Sequence, residues 1–134
     1  MKTAVIYWSG TGNTEAMAKA VAEGANAELF TVSEFSGNIA DYDVIAFGCP
    51  AMGAEVLEED TFEPFFANIE GSLSGKKVLL FGSYGWGDGE WMRNWYDRTE
   101  AAGAELIGDE GVIVNEAPSD DDLANLKELA KQLA

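Results

Sequence analysis

Residues 8–14, with the sequence WSGTGNT, have the types and spacing of a loop that binds an anion. They follow an apolar run at residues 4–7 and precede a helical pattern at residues 15–21. Glycines let backbone N–H groups point inward, and the positive end of a helix dipole adds to them. The loop has no lysine or arginine, so neutral donors alone would hold the anion, which suits the terminal phosphate of a cofactor. An ordinary strand-to-helix turn with a polar cap is the alternative interpretation.

Two later loops carry side chains that suit a flat aromatic ligand. Residues 50–55 contain Met52, and residues 83–89 contain Trp86 between two glycines. An indole at such a loop tip is more typical of a stacking surface or a partner contact than of a core. A planar ring between the Met52 thioether and the Trp86 indole, with a phosphate at the first loop, indicates a mononucleotide cofactor.

Strand patterns alternate with helical patterns along the chain. Strands are predicted at residues 2–8, 28–32, 43–48 and 76–82, with a broken fifth strand at 105–107 and 111–114. Helices are predicted at residues 13–23, at about 62–69, at about 91–96 and after Ser119. Gly24 is expected to end the first helix, and Asp60 or Thr61 to cap the second. The alternation predicts a single α/β domain over residues 1–134, a doubly wound parallel sheet of five strands with helices on both faces.

The charge balance is strongly acidic. The 134 residues include 24 acidic and 8 basic side chains and no histidine, which gives a net charge of −16. Nucleic acid is excluded as a partner because binding it needs a basic patch, and histidine-dependent nucleophilic catalysis is excluded as well. An acidic run predicts either a solvated face or a docking face for basic redox partners. Its members are Glu55, Glu58, Glu59, Asp60 and Glu63.

The cysteine content and the apolar runs indicate where the protein works. Cys49 is the single cysteine, so no internal disulfide forms, and a buried apolar role is expected for it. The first apolar run ends at Ser9, too early for a signal peptide, and no stretch approaches the length of a membrane span. We therefore expect a cytoplasmic protein with no membrane association, no metal site and no catalytic residue.

Three segments in order resemble flavodoxins of the short-chain kind, which are small FMN-binding electron carriers. They are residues 7–15 (YWSGTGNTE), residues 48–53 (GCPAMG) with Glu55, and residues 81–89 (FGSYGWGDG). The resemblance covers the whole chain and implies the family's strand order, 2-1-3-4-5, which the strand patterns alone leave open. It also implies a monomeric, low-potential one-electron carrier rather than an enzyme. Non-covalently bound FMN would shuttle between semiquinone and hydroquinone, serving basic redox proteins that dock at an acidic face around the flavin.

The resemblance also assigns roles within the FMN site. Residues 9–14 would bind the phosphate with help from Ser83, and the ring would lie between Met52 and Trp86. Glu55 would accept a hydrogen bond from flavin N3–H, while backbone N–H groups near Gly85 and Gly87 would meet the pyrimidine oxygens. The complete implied set is Ser9, Gly10, Thr11, Gly12, Asn13, Thr14, Pro50, Ala51, Met52, Gly53, Ala54, Glu55, Ser83, Tyr84, Gly85, Trp86, Gly87, Asp88 and Asn115.

Position 54 departs from the family pattern. The peptide after Gly53 resembles the family's redox switch, whose carbonyl turns toward flavin N5 in the semiquinone. A type II turn there would need a positive φ at position 54, which Ala54 adopts less readily than Asn or Asp. We expect Ala54 to weaken the semiquinone by about 1 kcal/mol. Ala54→Gly should then raise the oxidised/semiquinone potential, and an unchanged potential on potentiometric titration would contradict this hypothesis.

Three other function classes share parts of this pattern. An FMN-dependent NAD(P)H reductase needs a nicotinamide pocket, and no basic residue in these loops is available for a 2′-phosphate. Consumption of NAD(P)H without an added reductase would distinguish such an enzyme from an electron carrier. A receiver domain needs a phosphoacceptor Asp at the end of the third strand, where this chain has Gly48, Cys49 and Pro50. A P-loop NTPase needs a Gly-Lys-Ser/Thr ending that residues 8–14 lack.

Overall fold

Six parallel strands form one sheet in the computed structural model, which describes residues 2–52, 55–108 and 110–133. The strands are β1 Thr3–Tyr7, β2 Glu28–Thr31, β3 Val44–Gly48, β4 Lys77–Tyr84, β5 Glu105–Leu106 and β6 Val112–Asn115. Their order is β2-β1-β3-β4-β5. Strand β6 also pairs with β4, at residues 81–84, which lie further along β4 than the residues 77–78 that pair with β5. The predicted fold class and the implied strand order are confirmed. The two short strands β5 and β6 together form the broken fifth strand.

Within the described residues, four α-helices cover the two faces of the sheet: α1 Asn13–Ala25, α2 Phe62–Ile69, α3 Glu90–Ala101 and α4 Asp120–Ala130. Successive residues of a strand point to opposite faces, so Ile6 joins one core cluster and Val5 the other. The helix residues of the first cluster include Phe62, Phe66, Trp91 and Trp95, and those of the second include Met17, Val21, Leu126 and Ala130. Helices α2 and α3 thus cover one face, and α1 and α4 the other. Within the described ranges, no helix is long and apolar enough to cross a membrane.

Gly24 lies inside α1, so the prediction that it ends this helix is wrong. A Cβ at position 24 would collide with the backbone carbonyl of Lys127, and glycine therefore permits close contact between α1 and α4. The helix ends at Ala25, and Asn26 forms the C-cap with a left-handed φ of 53°. The same contact brings Lys127 Nζ within 2.6 Å of the Glu23 carboxylate.

A buried carboxylate caps the N-terminus of α2. Thr61 occupies the N-cap position, which is one of the two predicted alternatives, but its side chain makes no capping hydrogen bond. The Glu58 carboxylate instead accepts the backbone N–H groups of residues 60–62 at 2.7–2.9 Å. Glu58 is 6% exposed, so it does not contribute to an exposed acidic face. Its negative charge at the helix N-terminus is favourable.

We expect Glu58→Gln to lower the free energy of unfolding by about 1–3 kcal/mol, because the amide removes the charge and replaces one acceptor oxygen with a donor. Chemical denaturation of the full chain measures the change. Glu59→Gln is the matched control, because Glu59 is the exposed neighbour, and its effect should stay within about 0.5 kcal/mol. Equal stability of the two variants would show that this cap does not stabilise α2.

Candidate cofactor site

The carboxyl ends of β1, β3 and β4 meet at one edge of the sheet. The strand register places Tyr7, Gly48 and Phe81 side by side, so the loops that follow these strands converge. A cleft of about 220 Å³ lies between the loops. Its lining residues are Trp8, Gly10, Thr11, Asn13, Pro50, Ala51, Met52, Ser83, Tyr84, Gly85 and Glu116. The structure therefore brings parts of all three sequence-predicted loops to one place.

The first wall of the cleft is the N-terminus of α1 with the loop before it. Gly12 is the N-cap, with a left-handed φ of 94°, and it supplies no side-chain cap. The Ser9 hydroxyl accepts the N–H groups of Gly12 and Glu15, both at 3.2 Å. Helix geometry gives the N–H groups of Asn13 and Thr14 no intrahelical acceptor. Two backbone donors and the positive end of the helix dipole are therefore available to an anion.

Two hydroxyl groups join this wall to β4. Thr14 Oγ1 and Ser83 Oγ lie 3.0 Å apart, and the Ser83 N–H donates to Thr14 Oγ1 at 3.3 Å. Ser83 lines the cleft, whereas Thr14 is 1% exposed and does not. The Thr14 hydroxyl therefore supports the wall from behind, and Ser83 is the member of the pair that lines the cleft.

The second wall is the loop after β3. The N–H of Ala51 donates to the carbonyl of Ser83 at 3.0 Å, which ties this loop to β4. Met52 and Val56 then form an isolated antiparallel bridge with N–O distances of 2.8 and 3.0 Å. This bridge holds the half-exposed Met52 at the cleft. The implied redox switch, residues 53 and 54, lies outside the described residues.

Glu55 does not line the cleft but caps α3. Its carboxylate accepts the N–H groups of Gly89 and Glu90 at 3.1 and 3.2 Å. Gly87 has a φ of 90°, a backbone conformation that favours glycine, and a Cβ there would also displace the Glu55 carboxylate. Glu55 therefore fixes the second loop to the turn before α3. Its implied contact with flavin N3–H stays a prediction.

The turn between β4 and α3 presents Trp86 to solvent. Its side chain is 66% exposed, and Trp86, Gly87 and Asp88 are not among the described residues that line the cleft. Asp88 Oδ1 lies 3.0 Å from Arg93 Nη2, in an ion pair on the surface. Gly85 does line the cleft, and a Cβ added at this residue would meet no heavy atom within 4 Å. A ligand edge can therefore approach the backbone at this glycine closely.

Two residues of the cleft, Trp8 and Glu116, are absent from the sequence-predicted set. The Trp8 ring covers Gly10, where a Cβ would meet the indole at 3.0 Å. Glu116 follows β6 with a left-handed φ of 57°, and its N–H donates to the carbonyl of Tyr84 at 2.7 Å. The predicted Asn115 donates its side-chain amide to the same carbonyl at 3.3 Å and does not line the cleft. Both residues had a usable signal in the sequence. Trp8 comes directly before the anion loop, and Glu116 lies in the polar segment 115–118 that follows the last strand, at the edge of the sheet where the other loops meet.

Comparison with known proteins agrees with this arrangement. Residues 5–129 match the family model described as Flavodoxin. A flavodoxin from Megasphaera elsdenii is 51% identical over 136 residues, which cover 97% of this chain and 96% of the relative. The chain belongs to the flavodoxin family. Flavodoxins are electron-transfer proteins that bind FMN, so this chain is an FMN-binding electron carrier rather than an enzyme.

Further comparisons give this flavodoxin relatives in both sequence and structure. A flavodoxin from Clostridium beijerinckii is 46% identical over 84% of this chain and 86% of the relative. The solution structure of two-electron reduced Megasphaera elsdenii flavodoxin matches with a TM-score of 0.85 and 46% identity, and covers 97% of this chain and 98% of that one. The donor set of the cleft fits FMN, because neutral donors at α1 suit its phosphate and an apolar wall suits its ring.

Cys49 at the end of β3 is structural in this flavodoxin. It is fully buried, and burial raises the pKa of its thiol above the ordinary value. Its Sγ accepts the N–H of Glu58 at 3.4 Å, and its carbonyl accepts the Trp91 indole N–H at 3.2 Å. The thiol therefore stays protonated, and the expected buried role is confirmed.

Proposed function

We propose that this flavodoxin holds FMN in the cleft between residues 8–14, 50–52 and 83–85 and serves as a low-potential one-electron carrier. The observation that carries the proposal is the N-terminus of α1, where the N–H groups of Asn13 and Thr14 have no intrahelical acceptor, beside a partly apolar cleft at the same edge of the sheet. Bound FMN supplies the redox chemistry. The chain binds the phosphate at α1 and positions the ring beside Met52, with Trp86 as the opposite stacking surface.

The charge of the cleft supports a low potential. Its described lining contains no lysine or arginine, and it includes the acidic residue Glu116. Negative charge near a group that gains an electron disfavours the reduced form, and a partly desolvated site screens that charge less than bulk water does. Arg93, in the first turn of α3, is paired with Asp88, which offsets its positive charge.

We infer an acidic rim at the edge of the sheet that holds the cleft, and this rim supports docking of basic redox proteins. We define it as the exposed residues Glu59, Asp60, Glu90 and Glu116, which all follow the carboxyl ends of β3, β4 or β6. The predicted acidic run contributes only part of it. Glu63, for example, is held by Arg98, with an Oε1–Nη1 distance of 2.7 Å. We propose further that the protein is a cytoplasmic monomer that meets its basic partners at this rim.

One preparation of the purified full chain tests the proposal. The flavin released on denaturation is expected to be FMN, one per chain, and the holoprotein is expected not to oxidise NADH or NADPH without an added reductase. Electron transfer from the reduced protein to a basic haem protein should slow as ionic strength rises, because salt screens the acidic rim. Rates that do not depend on salt would contradict the docking face, and a missing or different flavin would contradict the site.

A further inference from the structure

The acidic residue in the first turn of α1 does not form a capping box with the N-cap residue, although its position favours one. Glu15 is the third residue of α1, where a carboxylate commonly reaches back to the N–H of the N-cap residue. Helix α4 of the same chain shows this arrangement. Its Asp122 Oδ2 accepts the Ser119 N–H at 2.9 Å, and the Ser119 hydroxyl accepts the Asp122 N–H at 3.1 Å. At α1, a capping box of this kind would place a negative charge where the phosphate is proposed to bind.

Two hydroxyl groups contact the atoms that a capping box at α1 would use. The Gly12 N–H donates to the Ser9 hydroxyl rather than to a carboxylate. The Tyr7 hydroxyl donates to Glu15 Oε2 at 3.2 Å and so holds the carboxylate. Tyr7 is 5% exposed at the end of β1, and burial, together with Glu15, raises the pKa of its phenol. The Tyr7 hydroxyl therefore remains protonated and keeps donating at neutral pH.

The held carboxylate lies beside a second groove, which adjoins the cleft. This groove of about 370 Å³ runs along the ends of β1 and β2, and Glu15, Tyr7 and Thr31 line it together with Ser9 and Gly12 of the anion loop. Glu15 does not line the proposed FMN cleft. Residues 8–12 lie at the boundary, since Trp8 and Gly10 line both cavities. The contact with Tyr7 therefore keeps the negative charge on the groove side of this loop.

We infer that Tyr7 is a positioning residue, which keeps the N-terminus of α1 open for the FMN phosphate by holding the Glu15 carboxylate in the neighbouring groove. The inference rests on the proposed placement of the phosphate at α1. Without the Tyr7 hydroxyl, the carboxylate is free to reach the first-turn N–H groups, and the phosphate meets a like charge. Because this effect acts on the phosphate alone, binding of the flavin ring is unchanged.

The affinities for FMN and for riboflavin, which lacks the phosphate, separate these two effects. Both are measured by fluorescence titration of the flavin-free full chain. Tyr7→Phe is expected to weaken FMN binding about three- to tenfold and to leave riboflavin binding unchanged. The double variant Tyr7→Phe/Glu15→Gln should recover FMN affinity, because the released side chain is uncharged. Tyr96→Phe, which removes a hydroxyl that donates to the carbonyl of Gly108 at 2.8 Å, is the matched control and should change neither affinity.

Glu15→Asp makes the same test with Tyr7 in place, should Tyr7→Phe fail to fold. This carboxylate is one methylene shorter, as in Asp122 of α4, and should weaken FMN binding but not riboflavin binding. Equal losses for both flavins in either variant, unchanged FMN affinity, or no recovery in the double variant would overturn the inference. If the unmodified chain binds FMN no more tightly than riboflavin, the proposed phosphate site is contradicted, and the role of Tyr7 with it.

Discussion

Replacement of Trp86 by alanine is expected to weaken FMN binding about ten- to a hundredfold. Stacking of a flat heteroaromatic ring on an aromatic side chain contributes roughly 1–3 kcal/mol, and Trp86 is proposed to supply one of the two surfaces that enclose the flavin. The indole is 66% exposed on a turn next to glycine residues, so it contributes little to the core. Its removal should therefore change cofactor affinity far more than stability.

Titration of the flavin-free chain with FMN measures this loss, and thermal unfolding of the same preparation reports stability. Trp86→Phe is the matched control, because it keeps an aromatic face and should retain most of the affinity. An alanine variant that binds FMN as tightly as the unmodified chain would remove Trp86 from the proposed site. A large drop in melting temperature would instead show that the exposed indole supports the fold.

Glu116→Gln is expected to raise the second one-electron reduction potential by tens of millivolts. A unit charge ~10 Å away at an effective dielectric of ~20 opposes an added electron by about 1–2 kcal/mol, before screening by salt. For a one-electron couple, that energy corresponds to about 40–80 mV. Glu116 has this effect because the turn after β6 places it on the cleft lining.

Glu28→Gln is the matched control for this measurement. It removes the same charge from an exposed side chain at the start of β2, the outermost strand on the side of the sheet away from β6. Potentiometric titration should show a shift for Glu116→Gln that exceeds the shift for Glu28→Gln, and the difference should shrink as salt is added. Equal shifts would mean that only net charge matters and that Glu116 has no special position.

The fold was predictable because local sequence and tertiary structure agree in most of this chain. Both faces of β1 and β3 are covered by helices, so these strands are apolar runs rather than alternating patterns. The aromatic spacing at Trp91 and Trp95 matches one buried face of α3. The cleft was predictable for a related reason, since the loops that bind ligands in parallel sheets follow the carboxyl ends of the strands.

The errors arise where a residue type serves more than one purpose. Glycine ends many helices, but at Gly24 it permits the approach of α4, which depends on a contact more than 100 residues away along the chain. The acidic run looked like one exposed face, yet Glu55 and Glu58 cap two different helices. Composition gives the charge of such residues but not the backbone donors they meet. For the same reason, the sequence placed residues 115–118 at the binding edge of the sheet but did not show that Glu116, rather than Asn115, lines the cleft.

Anaerobic potentiometric titration of the purified, flavin-containing protein is the decisive test of one-electron transfer by this chain. We expect one FMN per chain, reduced in two separate one-electron steps, with the second step at a markedly more negative potential than the first. We also expect both steps to be reversible without NADH or NADPH. A single two-electron step would contradict the assignment of this chain as a one-electron carrier, and a protein that binds no flavin would contradict the cleft as its cofactor site.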